Sequence, residues 1–118
     1  MAEGPSSRSE HYTPERCYIV ALAGANAEAE CSIARARVEP GVTTQLHSLH
    51  GIAERYVILS GEGRMEVGGE QIPVNPSDVV LIPDGVAQRI TNTGSEDLTF
   101  LCICIPPFRT ESYVNLES

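Results

Sequence analysis

From residue 17 to residue 107 the chain is interrupted about every ten residues by a group that reverses the backbone, and this punctuation limits what it can fold into. The breaks are "PGV" at 40–42, "SGEG" at 60–63, "GG" at 68–69, "NPSD" at 75–78, "PDG" at 83–85 and "NTGSED" at 92–97. Each supplies Gly, Pro, Asn or Asp where a tight turn needs a left-handed or pre-set φ. The intervals "CYIVAL", "CSIARARV", "TTQLHS", "ERYVILS", "GRMEVGG", "EQIPV", "DVVLIP", "QRITN" and "DLTFLCICI" are too short for stable helices and are rich in β-branched and aromatic residues. The one rival is the alanine-rich stretch Ala23 to Arg37, whose composition favours helix. Its second half alternates small or apolar residues with charged ones, which is a strand pattern. About nine short strands bury one face each only as a sandwich or closed barrel, so the chain is expected to be all-β.

With 118 residues there is one domain's worth of chain. The first sixteen residues are rich in Ser, Glu and Pro, so 1–16 is expected to be a mobile arm and 17–118 the barrel domain. The 16 acidic residues outnumber the 8 basic ones and give a net charge of −8, the wrong sign for a nucleic-acid backbone or an anionic membrane surface. No apolar run approaches the roughly 20 residues that span a bilayer, and the polar N-terminus lacks a signal peptide's apolar segment, so a cytoplasmic protein is expected. Cys17, Cys31, Cys102 and Cys104 lack zinc-type spacing, and a bridge between i and i+2 on one strand would be strained. They read as reduced thiols packed mostly in the interior.

From about Pro40 to Pro107 the chain resembles the small single-domain cupins. The family's first motif, G-x5-H-x-H-x3/4-E-x6-G, meets Gly41, His47, Glu54 and Gly61; its second, G-x5-P-x-G-x2-H-x3-N, meets Pro83, Gly85 and Asn92. The resemblance implies a cupin barrel, the double-stranded β-helix or jelly roll, with a pocket inside it. It also implies a homodimer and a metal ion held by three histidines and a glutamate. Carried over residue by residue, His47 and Glu54 stand at ligand positions. Leu49 occupies the place of the second histidine, Gln88 that of the third, and Ser77 that of a glycine.

A set of His47, Glu54 and Gln88 offers one imidazole nitrogen, one carboxylate and one amide oxygen, suited to a divalent ion such as Fe, Mn, Zn or Ni. On a regular strand His47 and Leu49 share a face and His50 looks the other way, so His50 joins the site only if a β-bulge at Ser48 or Leu49 re-aims it. Tyr56 has the parity of Glu54 and is either core packing or a hydroxyl in the pocket. Cys102 and Cys104 share a face and are either inert or a soft donor. Arg35 and Arg37 share another face, either at the pocket mouth or solvated. His11 falls in the arm. Two functional classes follow: a metal-dependent enzyme acting on a small organic molecule by isomerase, lyase or dioxygenase chemistry, and a non-catalytic small-molecule binding or sensing barrel with a weak or absent metal.

Overall fold

In the computed structural model residues 9–24 and 29–117 are described. Their strands are β1 (His11–Tyr12), β2 (Tyr18–Ala23), β3 (Ser32–Val38), β4 (His47–Leu49), β5 (Ala53–Ser60), β6 (Gly63–Val67), β7 (Glu70–Val74), β8 (Val79–Ile82), β9 (Gln88–Asn92), β10 (Leu98–Ile105) and β11 (Tyr113–Asn115). They form two antiparallel sheets, β1-β2-β3-β10-β5-β8 and β11-β4-β9-β6-β7, which face each other as the two halves of a jelly roll.

Alternation decides which side chains enter. Along β5 the residues Glu54, Tyr56 and Ile58 are buried, and along β9 Gln88, Ile90 and Asn92 are. Toward one end of the barrel the inward positions are large: Val38, Ile58, Met65, Ile82, Ile90, Leu98 and Phe100 pack into one cluster. Two close approaches seal that end. A Cβ on Gly61 would lie 2.6 Å from the Asp97 carbonyl oxygen, and one on Gly63 would lie 2.6 Å from that of Thr91. Asn92, fully buried, donates through Nδ2 to the carbonyls of Val38 and Glu96 and accepts from the Gly94 amide, so it holds the 92–97 turn against β3. Ser77, at the family's glycine position, keeps the left-handed conformation with φ +78°, its amide donating to the Ile58 carbonyl.

The strand reading of residues 32–37 holds, since they lie within β3, paired with both β2 and β10. Residues 25–28 of the helical alternative lie outside the described residues. "TTQLHS" is a strand only from His47 onward. Before it, Thr44 Oγ1 accepts from the Ile90 amide, the Gln45 amide donates to the Glu15 carbonyl and the Leu46 amide to the Glu117 carboxylate. With the Thr44 amide on the Ile90 carbonyl and an isolated bridge from Thr43 to Thr91, these partners stand in for the regular ladder that a longer strand would make. The expected arm is ordered in its second half: β1 pairs with β2, and Arg16 donates to the Thr43 carbonyl and, bidentately, to Glu117. Residues 1–8 lie outside the described residues. All four cysteines are free; Cys17 and Cys104 are buried, Cys31 and Cys102 only partly. No helix among the described residues is long and apolar enough to cross a membrane.

Candidate functional site

The other end of the barrel is hollow because its inward residues are small. On β3 they run from Val38 through Ala36 and Ala34 to Ser32, and on β2 from Ile19 to Ala21 and Ala23. Methyl-sized side chains on two neighbouring strands leave a cavity of about 380 Å³, large enough for a small organic molecule. Facing them are polar residues from the start of β5, the end of β10 and the start of β4: Glu54, Cys104 and His47.

Glu54 is 5% exposed. Its Oε1 accepts a hydrogen bond from Gln88 Nε2 at 2.8 Å, and its Oε2 faces Cys104 Sγ at 3.5 Å. Burial pushes this carboxyl up to about 7, against the pull of those two donors. Gln88 reaches it from the facing sheet, where it stands on β9 directly opposite His47 of β4. The other end of the same amide, Oε1, is buried with no hydrogen-bond partner among the described residues. His47 donates from Nδ1 to the Gln45 carbonyl at 2.8 Å, which fixes the tautomer and leaves the Nε2 lone pair free. Burial lowers its pKa and favours the neutral ring.

Two residues beside His47 are absent from the sequence-based set. Glu15 places Oε1 3.8 Å from His47 Nε2, and its carboxyl is raised to about 7 by burial first and by the charge of Glu54 second. Tyr113 of β11 stacks on the His47 ring at 4.7 Å and donates its hydroxyl to Gln45 Oε1. Each comes from a segment outside the motif region, and each is placed by long-range partners. Glu15 is held by the Gln45 amide and by its own amide on Thr13 Oγ1; Tyr113 is held by the pairing of β11 with β4.

His47, Glu54 and Gln88 are thus brought together, and His50 is not. The β4–β11 register runs unbroken through Leu49, Ser48 and His47, so no bulge re-aims the chain. His50 is exposed in the turn with Gly51 (φ +79°), whose amide donates to Asp84 Oδ1. Tyr56 lines the cavity and stacks on Phe100 at 4.5 Å. Cys102 and Cys104 line it too, with thiols that burial pushes up, so they are inert at neutral pH. Arg37 is away from the cavity, engaged by Glu10 and Asp97 and lying over the Tyr18 ring. Arg35 does not line it either, whereas His11 does, at the start of β1.

The donor set does not fit a resident divalent ion as arranged. Among the described residues no three His, Cys, Asp or Glu side chains are grouped to hold one. Gln88 stands at a family ligand position but points an N–H at Glu54, so that hydrogen bond supplies the carboxyl's polar partner in place of a cation.

A protein-family profile described as "Cupin domain" matches residues 34–104. A Thermotoga maritima protein named oxalate-binding protein is 34% identical over 121 residues, covering 89% of this chain and 98% of that one. Among solved structures, one described as a predicted oxalate decarboxylase from Thermotoga maritima superimposes with a TM-score of 0.79 at 28% identity, covering 90% of this chain and 99% of that one. The Streptomyces nucleoside dehydratase Pac13 superimposes with a TM-score of 0.83, covering 99% of this chain and 91% of its own, and at 13% identity shares the fold alone.

Proposed function

The chain belongs to the cupin domain family, and from that premise we propose that it binds a small organic molecule bearing no negative charge and acts on it by proton transfer, without a resident metal. The observation that carries this reading is the hydrogen bond from Gln88 Nε2 to Glu54 Oε1. It turns one family ligand position into a donor toward another. The remaining groups suit acid–base work. Glu54 and Glu15 are both raised to about 7, so near neutral pH each is present as acid and as base. His47, neutral and held by the Gln45 carbonyl and the Tyr113 ring, offers Nε2 as a second base. Dehydration and isomerisation both need one group to take a proton from the bound molecule while another returns one. Glu15, Glu54 and His47 supply both roles from two sides of the cavity.

The name of the Thermotoga maritima relative raises oxalate as a ligand. A dianion entering this cavity would meet two carboxyls and no arginine among the described lining residues, and like charges in a poorly solvated site repel by several kcal/mol, on the order of 4 at 4 Å. A second reading restores a cation. If the Gln88 amide turns over, its unpartnered Oε1 joins Glu54 and His47 Nε2 as a donor set for Fe, Mn, Zn or Ni. Such an ion would supply Lewis acidity toward an anionic substrate.

Calorimetric titration of oxalate into chelator-treated protein, with and without added Mn²⁺ or Zn²⁺, separates the two. No saturable binding in either condition is the expected result. Binding that requires the metal favours the second reading, and binding without it refutes the charge argument.

A further inference from the structure

The cavity has acceptors and aromatic faces but no cationic side chain among its described lining residues. Glu54 and Glu15 both line it, Glu15 Oε1 lying 3.8 Å from Nε2 of His47, which lines the same cavity. Gln88, fully buried and bonded through Nε2 to Glu54, leaves its Oε1 an acceptor with no donor among the described residues. Every one of the chain's 8 basic residues is an arginine, and none lines the cavity among the described residues; His47 is held neutral, and His11 is exposed. The rest of the wall is apolar: the alanines of β2 and β3, and the rings of Tyr56, Phe100 and Tyr113.

Buried carboxyls are stabilised by a positive partner, and aromatic faces attract cations by their quadrupole. The polypeptide supplies the carboxyls and rings and withholds the partner. At about 30 Å³ for each water's share of liquid volume, a cavity of about 380 Å³ holds roughly a dozen waters, and hence a ligand of about that many non-hydrogen atoms.

We infer that the cavity takes an organic ammonium ion, with its nitrogen between Glu15 and Glu54 and its apolar or aromatic body against Tyr56, Phe100 and the alanines of β3. This rests on the reading above that no metal ion resides beside Glu54. It narrows the substrate class from molecules without negative charge to amines.

The test uses full-length, untagged, chelator-treated protein at pH 8, titrated by calorimetry with three near-isosteric probes: benzylamine, benzyl alcohol and benzoate. Benzylamine is expected to bind at least about tenfold more tightly than benzyl alcohol, and benzoate not at all. Glu15→Gln and Glu54→Gln should each weaken benzylamine by about tenfold while leaving benzyl alcohol within about twofold. The ranking of probes on the parent protein needs no variant, so a variant that folds poorly leaves the test intact. Benzyl alcohol binding as tightly as benzylamine overturns the ammonium inference and leaves the wider reading standing. Benzoate binding most tightly overturns both. A parent protein that binds none of the three, or whose benzylamine affinity neither substitution changes, also overturns the ammonium inference.

Discussion

Replacing Glu54 by Gln isolates the ionisation of a buried carboxyl in the cavity. Gln has the shape of Glu and keeps an oxygen to accept from Gln88 Nε2, but it does not ionise. In the folded protein Glu54 titrates near 7, against an ordinary value of 4.5. Below pH 4.5 the carboxyl is protonated in both folded and unfolded states. Between 4.5 and 7 the unfolded chain gives up its proton while the folded protein keeps it, so stability falls as pH rises; above 7 the loss is complete. At about 1.4 kcal/mol per pH unit the full effect is on the order of 3 kcal/mol. Glu15 contributes with the same sign. His47, whose pKa is lowered, contributes with the opposite sign in part of the same window, so the quantity to read is the difference between parent and variant. Urea denaturation followed by circular dichroism at pH 5, 6, 7 and 8 should show Glu54→Gln close to the parent at pH 5. At pH 8 it should be more stable by on the order of 1 to 3 kcal/mol. A variant that tracks the parent at every pH, or loses ground as pH rises, would show that Glu54 is not a buried acid of raised pKa.

Other outcomes test the scaffold and the site separately. Ser77 sits at φ +78°, where a Cβ costs about 1 to 2 kcal/mol; Ser77→Gly should raise stability by about 1 kcal/mol, read as a higher urea midpoint at unchanged slope. Leu49 and Gln88 stand at the family's missing histidine positions, with Leu49 in the cavity wall and Gln88 opposite His47. The double variant Leu49→His, Gln88→His should therefore bind one equivalent of Zn²⁺ in a calorimetric titration, and a folded double variant that binds none would refute the placement. The outer face of β5 and β8 exposes Leu59, Val79 and Leu81, a surface for the homodimer that the family resemblance implies. Sedimentation should give a dimer that Leu81→Arg converts to monomer; a monomeric parent would remove the dimer.

Much of this architecture is legible in the sequence because it depends on local chemistry. The turn residues mark the strand ends, and parity along "ERYVILS" puts Glu54 and Tyr56 on the inner face. Alternation in "CSIARARV" outweighs its alanine content, since a strand with one face inside a barrel turns Ala34 and Ala36 inward whatever their helix propensity. Glu15 was not legible. Its segment has no apolar period, and its position depends on Arg16 bonding to Thr43 and Glu117, contacts across 27 and 101 residues that no local pattern encodes. Tyr113 had a faint signal in "SYVN", too short to separate from a loop. The cavity itself follows from Ala21, Ala34 and Ala36 lying side by side, which needs the β2–β3 register. His50 was legible in the negative sense that strand parity turned it away from His47, and the unbroken β4 register shows why.

In the proposed function the amide of Gln88 takes the place of a metal beside Glu54, and metal content tests this most directly. Protein purified without an affinity tag or chelator, from cells supplied with Fe, Mn, Zn and Ni, should carry well under a tenth of an equivalent of any of them by plasma mass spectrometry. One equivalent of a single metal in the parent, absent from both His47→Ala and Gln88→Ala variants that remain folded, would contradict it.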